Sequence, residues 1–302
     1  MTSMIPGWRA RDAVRQPFVL TLCAGGDFAP AQARADRVMV DLGQGAWRAL
    51  DARSGERHFE CLPAEAWSLL QALRRDLDDC DLCLRPLDSP PIRLLICDMD
   101  MTIVDAETLD EVAAELGLGE RIAAITHRAM HGEIDFNAAL RERIGMLAGQ
   151  PEQVFHDVAA GLGLNPGARE LLAAAREAGV YRVLISGGFA QVADAVAQQL
   201  DFDAVVCNHL DIADGQLTGE VIEPIVNADL KRQTLEDLAG QRGIALEACC
   251  AIGDGANDAP MVAAAGLGIS YHGKPVLREV SDCHIDATDL ASAIHFMRLA
   301  AD

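Results

Sequence analysis

The sequence predicts an α/β protein: a parallel sheet carrying an inserted helical cap, preceded by a small N-terminal α+β module. Three observations predict it. Short apolar runs at residues 93–97, 181–185, 204–207, 249–253 and 267–270 alternate with helical stretches, the pattern of βαβ units whose strands are buried on both faces. Between the first two runs lies a long insert, about 107–177, with apolar residues at helical spacing: Leu109, Val112 and Leu116, then Ile122, Ile125 and Met130, then Phe136, Leu140, Ile144 and Leu147. The prolines of segment 86–91 interrupt the pattern just before the first strand, which suits a linker and sets domains at 1–88 and 89–302.

Upstream of that linker, 18–23 reads as a strand and 29–42 as containing a helix. Segments 46–50 and 58–62 are expected to pair across Arg53-Ser54-Gly55-Glu56, with an amphipathic helix over 64–77 and a return strand at 81–84. No catalytic constellation stands out there. Downstream, the polar stretch 211–219 reads as a hairpin turning on Asp214-Gly215.

A net charge of −21 over 302 residues argues against nucleic acid or an anionic membrane as partner. An anionic substrate then needs a local positive site. The nine cysteines are odd in number and scattered, which fits reduced core thiols in a cytoplasmic protein. Cys80-x-x-Cys83 has the spacing of half a zinc or redox pair, but no second pair accompanies it. No apolar run reaches signal-peptide or membrane-span length, so a soluble, unsecreted protein is expected.

Candidate chemistry sits at strand ends, where open α/β sheets bind ligands. The apolar run Leu94-Leu95-Ile96-Cys97 ends in Asp98-Met99-Asp100-Met101-Thr102. Two carboxylates two residues apart leave the same face of a strand, and their repulsion favours a cation. Ile185-Ser186-Gly187-Gly188 closes a second strand and opens a helix, a junction that offers backbone N–H groups to a phosphate; read alone, Ser186 serves equally well as an N-cap. Gly253-Asp254-Gly255-Ala256-Asn257-Asp258 supplies oxygen ligands suited to Mg²⁺. Lys231 on its helix is uninformative by itself, and its place between two strands makes it a candidate.

In order and spacing, Asp98-Met99-Asp100-Met101-Thr102, Ser186-Gly187-Gly188, Lys231 and the Asp254–Asp258 segment resemble the haloacid dehalogenase-like phosphatases. Glu107, Met130-x-Gly132, Phe136 and Arg143 resemble the substrate-recognition elements of the phosphoserine phosphatases. The resemblance covers about 92–300 and implies a Rossmannoid sheet with Asp98 as nucleophile and Asp100 as proton donor and acceptor. It also implies Mg²⁺ on Asp98, the Asp100 carbonyl, Asp254 and Asp258, phosphoryl oxygens on Ser186, Gly187, Thr102 and Lys231, and Asn257 among the substrate-binding residues. Glu107 would take the ammonium and Arg143 the carboxylate of free phosphoserine, while Phe136 excludes water. The activity implied is hydrolysis of O-phospho-L-serine, the last step of serine synthesis. Two alternatives stay open: a phosphatase or phosphotransferase acting on another small phosphomonoester, and a non-catalytic phosphoacceptor or amino-acid-sensing module. A homodimer is compatible with the sequence, and the 1–88 module is a candidate regulatory unit.

Overall fold

The computed structural model describes residues 14–40, 45–131 and 133–299. Gly132 and the Met130 side chain, part of one cap motif, lie outside the described residues.

Elements β1 (Gln16–Ala24), α1 (Phe28–Val38), β2 (Trp47–Ala49), β3 (Ser54–Cys61), α2 (Pro63–Asp76) and β4 (Cys80–Pro86) form a four-stranded antiparallel sheet in the order β2-β3-β1-β4, a split βαβ arrangement. Strand period explains why β1 and β4 are buried almost throughout. Phe18, Leu20, Leu22, Leu82 and Leu84 pack under the two helices, whereas Cys23 and Cys83 join the core of the second sheet on the opposite face. Cys80 and Cys83, three residues apart, therefore point to opposite faces of β4, so the zinc or redox pair has no geometry. The hairpin also differs from expectation. Trp47 pairs with Arg57 and Ala49 with Gly55, which puts Ser54, Gly55 and Glu56 in the strand and moves the turn to 50–53.

The second sheet runs β11-β10-β9-β5-β6-β7-β8, parallel except for β8. Its strands are β5 (Leu94–Asp98), β6 (Tyr181–Phe189), β7 (Ala204–Ala213), β8 (Gln216–Ile222), β9 (Cys249–Gly253), β10 (Leu267–Tyr271) and β11 (Cys283–Ile285). The β7–β8 turn has Asp214 at φ 53° and Gly215 at φ 75°, the two positive angles of a type I′ turn, and it falls where the Asp-Gly pair predicts it. Helices α3 (Thr108–Glu115), α4 (Gly119–Met130), α5 (Phe136–Gly145) and α6 (Gln153–Gly161) pack on one another, while α7 (Ala168–Glu177) lies on β6 and α8 (Ala190–Leu200) on β6 and β7. Leu109, Val112, Leu140, Ile144 and Leu147 share one core with Leu95 and Cys97. The insert is thereby seated on the carboxyl edge of the sheet. No helix among the described residues is long and apolar enough to cross a membrane.

Buried polar contacts join the two sheets. The Asp81 carboxylate accepts from the backbone N–H groups of Asp286 at 2.8 Å, Ala287 at 3.0 Å and Thr288 at 2.9 Å, and Arg85 Nη1 donates to the Phe296 carbonyl at 3.0 Å. Beside this seam, His284 Nε2–H donates to the Arg278 carbonyl at 3.1 Å, which fixes the proton on Nε2. Burial, then the charges of Arg74 and Arg278, push the His284 imidazole down to about 4. In the unfolded chain it titrates near the ordinary value of about 6.5. The unfolded state thus binds more protons between these values, and stability contributed by neutral His284 is lost as pH falls from about 6.5 to about 4, up to ~3 kcal/mol in all. Urea unfolding at pH 7 and pH 4.5 checks this: His284→Gln, which keeps a donor but does not titrate, is expected to lose less stability across that interval than the parent.

Candidate active site

Three strand ends and one helix build the site. β5 delivers Asp98, which is 4 % exposed, β9 ends at Gly253 just before Asp254, and α9 (Ala228–Gln241) carries Lys231, which is fully buried together with Asp258. Lys231 Nζ lies 2.6 Å from Asp98 Oδ1 and 2.7 Å from Asp258 Oδ1. Burial alone would strip the proton from this ammonium, but Asp258 and Asp98 outweigh that and raise its pKa above the ordinary value. The helix position that carries little information in sequence becomes the positive centre of the site.

Asp98, Asp254 and Asp258 each offer a carboxylate oxygen, all within 4.8 Å of one another. Asp258 Oδ2 also accepts the backbone N–H groups of Asp254 at 3.2 Å and Gly255 at 2.9 Å. That approach requires Gly253, because a Cβ there would sit 2.5 Å from Asp258 Cγ. Burial, with the Asp258 charge behind it, raises Asp254 to about 6, and the same two causes push Asp98 well above the carboxylate range. When ionised, the three carboxylates exceed the one ammonium by two negative charges, and the donors are all oxygen. The cluster suits a hard divalent cation.

Asp100 lies just beyond the end of β5, close enough for its charge to act on Asp98 and Asp254. Its Oδ1 accepts the backbone N–H of Thr108 at 2.9 Å and its Oδ2 accepts Ser186 Oγ–H at 3.2 Å. Strand alternation predicts that Asp98 and Asp100 converge on one point. The strand stops at Asp98, and beyond it the two carboxyls take different hydrogen-bond partners while the Asp100 charge still acts on Asp98. Burial raises the Asp100 pKa, with the Thr108 and Ser186 hydrogen bonds opposing.

Ser186 is fully buried, and its Oγ accepts the Gly188 N–H at 2.7 Å. Gly188 admits no side chain, since a Cβ would meet Ser186 Oγ at 2.9 Å and Asp100 Oδ2 at 3.1 Å. Sequence reasoning ends this strand at Ile185, whereas β6 continues through the glycines to Phe189. Thr102 is fully buried and its Oγ1 has no hydrogen-bond partner; such a hydroxyl calls for an acceptor. Asn257 sits in the turn between Asp254 and Asp258.

From the cap, Phe136 reaches the glycine loop: a Cβ on Gly187 would lie 3.4 Å from Phe136 Cζ. Glu107 forms the N-cap position of α3, and burial of its carboxyl, then the charges of Asp100 and Asp254, raise it to about 7. Arg143 is half-buried, and its Nε has no hydrogen-bond partner. Burial pulls the Arg143 pKa down, while Asp110 and Glu107 oppose. The cap therefore holds Glu107 and Arg143 within reach of the Asp100 charge at the end of β5. Asn208, fully buried on β7, donates to the Gly187 carbonyl at 2.8 Å. Sequence reasoning misses it, because Val206-Cys207-Asn208-His209 carries no motif.

Residues 95–263 match the family model of the haloacid dehalogenase-like hydrolases. A phosphoserine phosphatase of Streptococcus thermophilus is 41 % identical over 204 residues, 68 % of this chain and 95 % of the relative. A phosphoserine phosphatase of Mycobacterium tuberculosis is 45 % identical over 193 residues, 64 % of this chain, which spans about half of that relative (47 %). Among solved structures, a HAD family hydrolase from Salmonella enterica serovar Typhi superposes with a TM-score of 0.84 at 31 % identity, covering 93 % of this chain and 98 % of that one. The extent of this last match includes the four-stranded sheet as well as the seven-stranded one. The chain belongs to the haloacid dehalogenase-like hydrolase family.

Proposed function

We propose that this protein is a phosphoserine phosphatase, hydrolysing O-phospho-L-serine to L-serine and phosphate with Mg²⁺, as the last step of serine synthesis. One observation carries the reading: above a buried carboxylate paired with a buried lysine, the cap presents an acid, Glu107, and a base, Arg143, apart from the acidic cluster. Free phosphoserine carries an ammonium and a carboxylate beyond its phosphate. Glu107 takes the ammonium, and Arg143, whose Nε lacks a partner, grips the carboxylate with its fork.

Asp98 attacks phosphorus, the bond to the serine oxygen breaks, and Asp100 gives that oxygen its proton. Water then attacks the aspartyl-phosphate, Asp100 takes the water's proton, and Asp98 leaves as a carboxylate. Lys231, Ser186, the Gly187 N–H and Thr102 hold phosphoryl oxygens, and Asn257 serves as a further substrate-binding residue. Phe136 excludes water over the loop. Asp98, Asp254, Asp258 and the Asp100 carbonyl would hold Mg²⁺, which when bound neutralises charge between nucleophile and phosphate. All nine cysteines are buried and free, which supports a reducing, cytoplasmic setting.

Phosphate release from phosphoserine, phosphothreonine and sugar phosphates, with and without EDTA, tests the reading. Phosphoserine is expected to be preferred and EDTA to abolish release; failure to hydrolyse phosphoserine sinks it. Phosphorylated acceptor in place of free phosphate would mark a phosphotransferase. Arg143→Ala is expected to raise KM for phosphoserine at least ~10-fold, the worth of a lost charge-assisted pair, and to change KM for p-nitrophenyl phosphate, which has no carboxylate, much less.

A further inference from the structure

Resting on the proposed phosphate chemistry, we infer that Asn208 is a positioning residue that holds the phosphate-facing loop of β6 and the lysine-bearing helix α9 in one register. The ladder between β6 and β7 shifts between Ile185 and Phe189, and pairing resumes only at Phe189 opposite Asn208. Across that interruption the Gly187 carbonyl needs a donor, because buried backbone groups are costly to leave unmade. Asn208 Nδ2 supplies it at 2.8 Å. The N–H of the same Gly187–Gly188 peptide donates to Ser186 Oγ at 2.7 Å. One peptide plane is thus fixed at both ends, and the Ser186 hydroxyl with it.

The other end of the amide does a different task. Asn208 Oδ1 accepts the Val226 N–H at 2.8 Å, immediately before Asn227, whose side chain caps α9 by accepting the Leu230 N–H at 3.0 Å. Lys231 follows in the first turn. A Cβ on Gly187 would stand 3.6 Å from the Val226 carbonyl oxygen, so the two segments already lie against each other. A single fully buried amide with one donor and one acceptor in use spans the two groups proposed to grip phosphate. Asp at this position lacks the donor, and Ala lacks both.

Calorimetric titration of the full chain with inorganic phosphate, in saturating Mg²⁺, tests the inference without turnover. Asn208→Ala is expected to weaken phosphate at least ~10-fold, the cost of misplacing hydrogen-bond donors, with Mg²⁺ affinity within twofold of the parent, because Asp98, Asp254 and Asp258 do not touch Asn208. Asn208→Ser, which keeps a hydroxyl, is expected to fall between Ala and parent. The inference is overturned by phosphate affinity within threefold of the parent, by equal weakening of phosphate and Mg²⁺, by a parent that does not bind phosphate, or by loss of the fold in both variants, which would make Asn208 a core residue only. A parent that binds phosphate through Asn208 yet does not hydrolyse phosphoserine would instead defeat the proposed function and leave this inference standing.

Discussion

Asp98→Asn is expected to lower phosphate release from phosphoserine by at least ~10⁴-fold, in line with removal of a covalent nucleophile, while leaving the metal-free protein at least as stable as the parent. The two effects separate because of where the charge sits. Asn is isosteric with Asp, and its side-chain oxygen can still accept the Met99 N–H that Asp98 Oδ1 accepts at 2.8 Å. Fold and packing are preserved. The amide, however, is a poor nucleophile and cannot form the aspartyl-phosphate. On the stability side, Asp98, Asp254 and Asp258 crowd within 4.8 Å and Lys231 neutralises only one of them. Removing the Asp98 charge leaves Lys231 with Asp258 at 2.7 Å and relieves a like-charge contact, instead of orphaning a buried cation. Thermal unfolding without metal should show an equal or higher midpoint for the variant. Adding Mg²⁺ should then raise the midpoint less than in the parent, since stabilisation by a ligand scales with its affinity and one ligand is gone. A variant that keeps turnover would remove Asp98 from the nucleophile role.

Sequence reading and structure diverge where a residue's environment is made by distant segments. Asp98, Asp254 and the Asp214-Gly215 turn are legible because each follows from a local rule: an apolar run ended by a carboxylate, or a turn needing two positive φ angles. Lys231 is a candidate only through its place between two strands and the resemblance, because its burial depends on Asp98, 133 residues earlier, and on Asp258, 27 residues later. Asn208 is hidden for the same reason: its two partners, Gly187 and Val226, come from separate segments. Local rules also overreach. Ser54-Gly55-Glu56 has turn composition yet pairs with β1 and β2. Edge strand β11 is only three residues long and packs near β4, too short to announce itself by pattern.

Asp100→Asn is expected to separate the two half-reactions. Its fold should survive, since Asn can accept the Thr108 N–H through its oxygen and offer its amide to Ser186 Oγ, the two partners Asp100 now holds at 2.9 and 3.2 Å. What it loses is the proton. Burial raises the Asp100 pKa, which keeps a proton available for a leaving alkoxide, and a serine oxygen departs poorly without one. Phosphoserine turnover should therefore fall by about 10²–10⁴-fold, the usual range for a positioned general acid or base. p-Nitrophenyl phosphate behaves differently because p-nitrophenolate leaves without protonation. Its first step should proceed at near the parent rate, and the second, in which water attacks the aspartyl-phosphate and needs a base, should stall. Stopped-flow absorbance is expected to show a burst of one p-nitrophenolate per chain followed by slow release, a pattern absent from the parent. Equal losses on both substrates with no burst would mean that Asp100 holds the loop in shape without moving a proton. A burst with p-nitrophenyl phosphate and none with phosphoserine assigns the acid role to the first step and the base role to the second, one carboxyl serving both because the proton it gives away is the one it recovers from water.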